Sequence, residues 1–350
     1  NARLDGGLSM PVKLGGGGGG GNTPFPTMVF QTSRTWACPM AMEAMVFVIG
    51  AGGGGAAGHA NSTTKGIVNG GGAGGCSVSK LTLAAQNYTL VVGAQGGGGN
   101  RASGSPFGVT DGANGGNSSF AGSGITTMAG NGGAGGSGAT TTSVYEYPAS
   151  GATAGGTATG GTIANNVGGG NPSVNRTGHN VNASSGGGVG LWEVGEDGSQ
   201  AAYDNTITQG GGPFRNRALG ATSIPSAEGR SGGILTGDIF KGIQQMVRDQ
   251  SSNGYASHPT RYNNSVNYTG RPVQLMPPLN ATHLRYLSGS SPFTGGAGIQ
   301  FNGSSYVGVA SSGVAGGGGG SAMFYNNGTH AYGASGGKGV IIIMPLTVGS

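Results

Sequence analysis

Three short apolar runs stand out from a polar, glycine-rich background: Met45-Val46-Phe47-Val48-Ile49, Tyr88-Thr89-Leu90-Val91-Val92 and Val340-Ile341-Ile342-Ile343-Met344. Each is rich in β-branched or aromatic residues, has strand length and is bounded by turn formers, which predicts a β-strand. The first two run straight into Gly50-Ala51-Gly52 and Gly93-Ala94-Gln95-Gly96. Ahead of them, Val29-Phe30 and Thr35-Trp36-Ala37 predict a first pair of strands. Only Asp238-Ile239-Phe240-Lys241-Gly242-Ile243-Gln244-Gln245-Met246-Val247-Arg248 has helical spacing, with apolar residues three and four apart and an acidic first turn.

Glycine fills the intervals, with 83 of the 350 residues and unbroken runs at 15–21, 52–55, 96–99 and 316–320. It has no side chain to bury and loses the most backbone entropy on folding, so such runs are either disordered or held by something other than a hydrophobic core. A flexible linker would lack the strands that flank these runs. The pattern therefore predicts ordered polyglycine II, an extended left-handed helix with three residues per turn whose N–H and C=O groups point outward to neighbouring helices. Strict Gly-X-Y periodicity is absent, which excludes collagen. The expected fold is all-β, a strand scaffold with packed polyglycine II helices and glycine-rich loops.

Residues 1–27 combine a short polar start, seven glycines and Asn22-Thr23-Pro24-Phe25-Pro26, and read as an N-terminal arm. Residues 28–350 read as one glycine-rich domain. Within it, about 189–312 form a mostly irregular insertion that holds the short predicted helix and most of the aromatic, charged and proline residues.

Only 8% of residues are charged, against about a quarter in ordinary soluble domains. The surface must then be neutral and hydrogen-bonding, built from Ser, Thr, Asn, Gln, Tyr and backbone amide. A dispersed net charge of +5 gives no nucleic-acid footprint. No apolar stretch exceeds strand length, so no membrane insertion is expected. Cys38 and Cys76 flank predicted strands and could form a disulfide if their Cα atoms come within about 7 Å, although two unpaired thiols is the preferred reading.

No catalytic, metal or cofactor site is expected. Gly-x-Gly-x-x-Gly matches follow from the composition alone. Gly333-Ala334-Ser335-Gly336-Gly337-Lys338-Gly339 lacks phosphate-loop spacing, and His59, His179, His258, His283 and His330 are scattered. Glu193, Glu196, Asp197 and Asp204 are the best place for hydrolytic carboxylates, but Gly195 and Gly198 make the stretch a solvated turn. Aromatic residues in the insertion give the sharper hint: Trp192, Tyr203, Phe214, Tyr255, Tyr262, Tyr268 and Tyr286, together with Arg261, combine flat rings with hydrogen-bonding tips. Such residues suit stacking on sugar faces or a protein contact, and equally suit a small local core.

The order of motifs carries a resemblance. Phe30-Gln31-Thr32-Ser33-Arg34-Thr35-Trp36-Ala37-Cys38-Pro39 is followed by the strand that enters glycine at 50, then by Gly74-Gly75-Cys76-Ser77-Val78-Ser79-Lys80-Leu81-Thr82-Leu83 and the strand that enters glycine at 93. Gly115-Gly116-Asn117-Ser118-Ser119-Phe120 and Gly336-Gly337-Lys338-Gly339-Val340-Ile341-Ile342-Ile343 complete the series. This succession resembles the glycine-rich domain of bacteriophage tail-fibre and receptor-binding proteins. The resemblance implies a non-enzymatic virion protein, extracellular, that attaches to other virion or tail proteins through its arm and meets a host surface glycan or outer-surface protein. It also implies a homo-oligomer, with a trimer among the options. Two rivals are a filament subunit whose glycine bundle drives assembly and an ice-binding protein, the latter disfavoured by the lack of a regular tripeptide repeat.

Overall fold

The computed structural model describes residues 27–60, 65–101, 108–141, 151–170, 181–184, 186–191, 194–195, 197–198, 207–208, 295, 298–302, 315–318, 320–324 and 331–348. The regular elements among them are all strands. They run β1 (Met28–Phe30), β2 (Arg34–Ala37), β3 (Met42–Ile49), β4 (Ala57–Ala60), β5 (Lys65–Val68), β6 (Cys76–Leu83), β7 (Asn87–Val91), β8 (Asn100–Arg101), β9 (Gly108–Thr110) and β10 (Ser118–Ala121). Then come β11 (Met128–Gly130), β12 (Gly138–Thr141), β13 (Ala158–Thr159), β14 (Ala164–Asn166), β15 (Val181–Ala183), β16 (Ile207–Thr208), β17 (Gly298–Asn302), β18 (Ser321–Phe324), β19 (Ala331–Tyr332) and β20 (Val340–Val348).

Two five-stranded sheets form a base, ordered β1-β20-β3-β6-β14 and β13-β11-β10-β7-β2. The apolar run in β3 is continuous because its sheet is covered on both faces. Val46 and Val48 point, with Ile341, Ile343 and Leu83, into a core shared with Tyr88, Leu90, Phe120 and Met128 of the second sheet. Phe47 and Ile49 point the other way, with Val78 and Ile342, onto Ala73, Val189, Leu191 and Ala315. In the second sheet β7 alternates, burying Tyr88 and Leu90 and exposing its other residues. Tyr88 stacks on Phe120 with ring centroids 5.1 Å apart, a pairing worth about 1 kcal/mol beyond area burial. The predicted pairing of the first two strands is corrected: β1 pairs with β20 in one sheet and β2 with β7 in the other, because the chain crosses the sandwich between them.

Three further sheets of five, three and two strands, β16-β17-β18-β4-β9, β12-β5-β15 and β19-β8, form a tip. Extended segments join tip to base. Residues 50–56, 69–75, 111–117, 131–137 and 333–339 each supply seven residues between a base strand and a tip strand, a length of about 22 Å at roughly 3.1 Å per residue. The bundle-facing strand ends line up in register, Val340 with Ile49 and Ile49 with Cys76 at the base, Gly138 with Val68 and Ser321 with Ala57 at the tip.

Hydrogen bonding within the bundle repeats every third residue, as polyglycine II requires. In segment 50–56, Gly50, Gly53 and Ala56 donate to Gly75, Gly72 and Asn69; Ala51 and Gly54 donate to Gly116 and Ala113; Gly52 and Gly55 donate to Gly337 and Ala334. Its carbonyls accept from three further segments, through Gly133 and Gly136, Gly96 and Gly99, and Gly318. Six neighbours thus surround it, the donors reaching antiparallel segments and the carbonyls serving parallel ones. Segment 69–75 is also enclosed, by bonds to 50–56, 131–137, 156, 169, 187 and 315–318. Each bond contributes about 1 kcal/mol net, so cohesion comes from their number.

Side chains mark the outside. Burial on segment 93–99 recurs at Gly93, Gly96 and Gly99, while Ala94, Gln95 and Gly97 are exposed. A Cβ on Gly53 would collide with the backbone of Ala134, whereas one on Gly97 would meet nothing within 4 Å. Gly53→Ala is therefore expected to destabilise the fold by about 1–3 kcal/mol. Gly97→Ala is expected to leave stability unchanged or raise it by up to about 1 kcal/mol through the unfolded chain. Denaturation midpoints of the two variants check this pair.

Candidate functional site

The two ends of the bundle differ. β1 begins at Met28, opposite Ile343 and away from the bundle, so the chain enters from the base. β20 leaves the bundle at Val340 and runs outward through the same sheet to Val348. At the opposite end, Ala60 pairs with Phe324, Lys65 with Thr141 and Arg101 with Ala331. These residues form the outer rim of the tip, and from it the chain passes into 61–64, 102–107, 142–150 and 325–330. This rim is the candidate functional surface.

Trp192, Tyr203, Phe214, Tyr255, Tyr262, Tyr268, Tyr286 and Arg261 all lie outside the described residues, as do residues 1–26 and the helix expected over 238–248. Described parts of the expected insertion belong to the body. Val189 and Leu191 are buried under the first base sheet, Gly195 and Gly198 donate to Val167 and Gly170, and β16 and β17 extend a tip sheet. The scaffold thus continues past residue 188.

Asp197 is exposed and caps the bundle edge, its Oδ1 accepting from Gly170 N at 2.8 Å, while Glu193, Glu196 and Asp204 lie outside the described residues. Segment 333–339 is an extended bundle helix. Its Gly333, Gly336 and Gly337 N–H groups donate to Gly99, Gly96 and Gly316, which leaves no cradle for a phosphate there. His59 is buried in β4. No cluster of three His, Cys, Asp or Glu side chains that could hold a metal occurs among the described residues.

One surface device has a signal that the sequence reading missed. Asp111, Asn114 and Asn117 recur every third residue on segment 111–117, and their Oδ1 atoms accept from Gly138, Gly135 and Gly132 N at 2.9, 2.8 and 2.9 Å. Asn114 and Asn117 thus satisfy N–H groups of segment 131–137 that face away from the interior, and Asp111 satisfies that of Gly138 at the start of β12. An Asx residue at every third place in a glycine-rich stretch is the legible cue. Asn117 also heads an Asn-x-Ser sequon, and its neighbour Ser118 is buried with Oγ accepting from Gly93 N.

The possible disulfide between Cys38 and Cys76 does not form, and the preferred reading of two unpaired thiols is the one observed. Both are free, buried thiols in separate cores. Cys38 N donates to Gln86 O beside the outer end of β6, whereas Cys76 opens that eight-residue strand at the bundle. That places them about 23 Å apart along the strand direction, far beyond disulfide reach. Burial pushes the Cys76 thiol well above its ordinary pKa. Burial also raises Cys38, partly offset by a backbone hydrogen bond from Met40.

Because the folded pKa is raised, the stabilising effect of keeping these thiols protonated is full below the unfolded value of about 8.5 and is lost as pH rises above it. Stability is expected to fall above that pH, and less steeply in Cys76→Ala. Chemical denaturation across pH 7–10 checks the difference in slope. Neither thiol is expected to react with a water-soluble disulfide reagent until the protein unfolds.

The family described as "Glycine-rich domain" matches residues 27–233, more than half of the chain. No curated protein matches the sequence.

Proposed function

Since the chain belongs to the glycine-rich domain family, we propose that it is a non-enzymatic virion protein, a tail-fibre or surface-fibre adhesin that attaches the particle to its host. The observation that supports this reading is the difference between the two ends of the bundle. Chain entry lies at the base, and the strand ends leading into 61–64, 102–107, 142–150 and 325–330 gather on the opposite rim. The arm of residues 1–27 holds the base to other virion or tail proteins. The rim meets a host surface glycan or outer-surface protein, with the aromatic residues between 192 and 286 proposed from the sequence as further contacts. A bundle tied by hydrogen bonds at every third residue makes a stiff spacer between these two contacts.

Alanine at Trp192, Tyr255 and Tyr262 together is expected to abolish adsorption of particles to host cells while the protein remains folded and incorporated. Removal of residues 1–27 is expected to release the protein from the particle and to leave its binding to isolated host envelopes intact. Normal adsorption by the triple variant, with particles that instead fall apart, would replace this reading with that of a filament or virion-assembly subunit.

A further inference from the structure

Asn131-Gly132 is the kind of sequence in which the glycine nitrogen can attack the preceding side-chain amide, and here the bundle holds the two reacting groups apart. Gly132 N donates to Asn117 Oδ1 at 2.9 Å, toward the flanking segment 111–117. Asn131 Nδ2 donates to Thr157 Oγ1 at 2.7 Å, toward the segment 151–157 on the other flank. Nucleophile and electrophile are thus tied to helices on opposite sides of their own. The Asn131 main chain is fixed as well, its N–H donating to Thr157 O and its carbonyl accepting from Gly75 N.

We propose that Asn131 is a latent self-modification site, gated by Asn117, that converts to aspartate or isoaspartate when the outer face of the bundle loosens. Gly132 N attacks Cγ of Asn131 and forms a new C–N bond. The bond from Cγ to Nδ2 breaks, and ammonia leaves with the proton lost from Gly132 N. Water then opens the cyclic imide at either carbonyl, giving aspartate or isoaspartate with no oxidant or cofactor. The isoaspartate product adds a methylene to the main chain between β11 and segment 131–137. Its seven residues would then no longer match the register of 69–75 and 111–117, so the change is a one-way record of bundle opening.

The ladder itself provides a matched control. Asn117 ties down Gly132, which follows an asparagine, whereas Asn114 ties down Gly135, which follows Ala134 and has no amide to attack. Both rungs are exposed, so Asn117→Ala and Asn114→Ala remove equivalent bonds. Full-length wild-type and variant proteins are incubated at pH 8, and isoaspartate at residue 131 is followed by peptide mass spectrometry, with circular dichroism confirming that each stays folded. Asn117→Ala is expected to accelerate conversion roughly three- to tenfold, the factor that loss of one net hydrogen bond confers. Asn114→Ala is expected to leave the rate at Asn131 within about twofold of wild type, as for an independent site. Urea-unfolded protein is expected to convert fastest of all. Equal rates in wild type and Asn117→Ala, or equal acceleration by both variants, would overturn the gating by Asn117. A folded wild-type rate equal to that of the unfolded chain would overturn the site as latent.

Discussion

Close approach of main chains is the constraint from which the rest of this structure follows. A carbonyl of one segment can meet an N–H of the next at 2.7–3.0 Å only where no Cβ stands between them, and a Cβ on Gly52, Gly53, Gly54, Gly71 or Gly72 would overlap a neighbouring backbone. Glycine therefore does here what Leu and Val do in an ordinary core. Exclusion of water from the two enclosed segments comes from backbone density, and the cohesion comes from hydrogen bonds at every third residue. Asp, Gln and Lys appear only on the outer segments, and the one enclosed Asn, Asn69, is tied through its Nδ2 to Gly151 O.

Such a bundle cannot hold itself together without help, because each glycine loses more conformational freedom than any other residue on being ordered. The sheets supply that help. At the base, strands buried on both faces anchor the ends of the segments, and burial of a single large apolar side chain stabilises by about 1.5–3 kcal/mol. The tip sheets fix the other ends. With both ends in register, a segment that changed length would misalign its bonds with every neighbour at once.

The same division separates scaffold from surface. Positions inside the bundle are constrained by contact in every direction, whereas the outer faces of the flanking segments carry side chains without a clash. The outward N–H groups of segment 131–137 are a special case between these two regimes. Asn114 and Asn117 cover them with side-chain oxygens, and Asp111 does the same for Gly138 where β12 begins, which finishes an edge that another glycine helix could otherwise extend.

Local sequence was enough to identify the strands around Val46, Leu90 and Ile342 and to identify ordered polyglycine, since both depend on residues adjacent in the chain. Their pairing was not legible. β1 and β2 sit four residues apart yet join different sheets, and the partner of β1 lies at the far end of the chain in β20. Cys38 and Cys76 likewise flank neighbouring strands in sequence, but a whole strand length separates them in space. Glycine runs carry no side-chain code for choosing neighbours, so which segment encloses which was decided by the register of the two sheet caps. The receptor-facing residues named from the sequence rest on composition alone. Tertiary structure decided instead that entry and rim lie at opposite ends, because each seven-residue segment carries the chain from one cap to the other and every connection must then fall on one cap or its opposite.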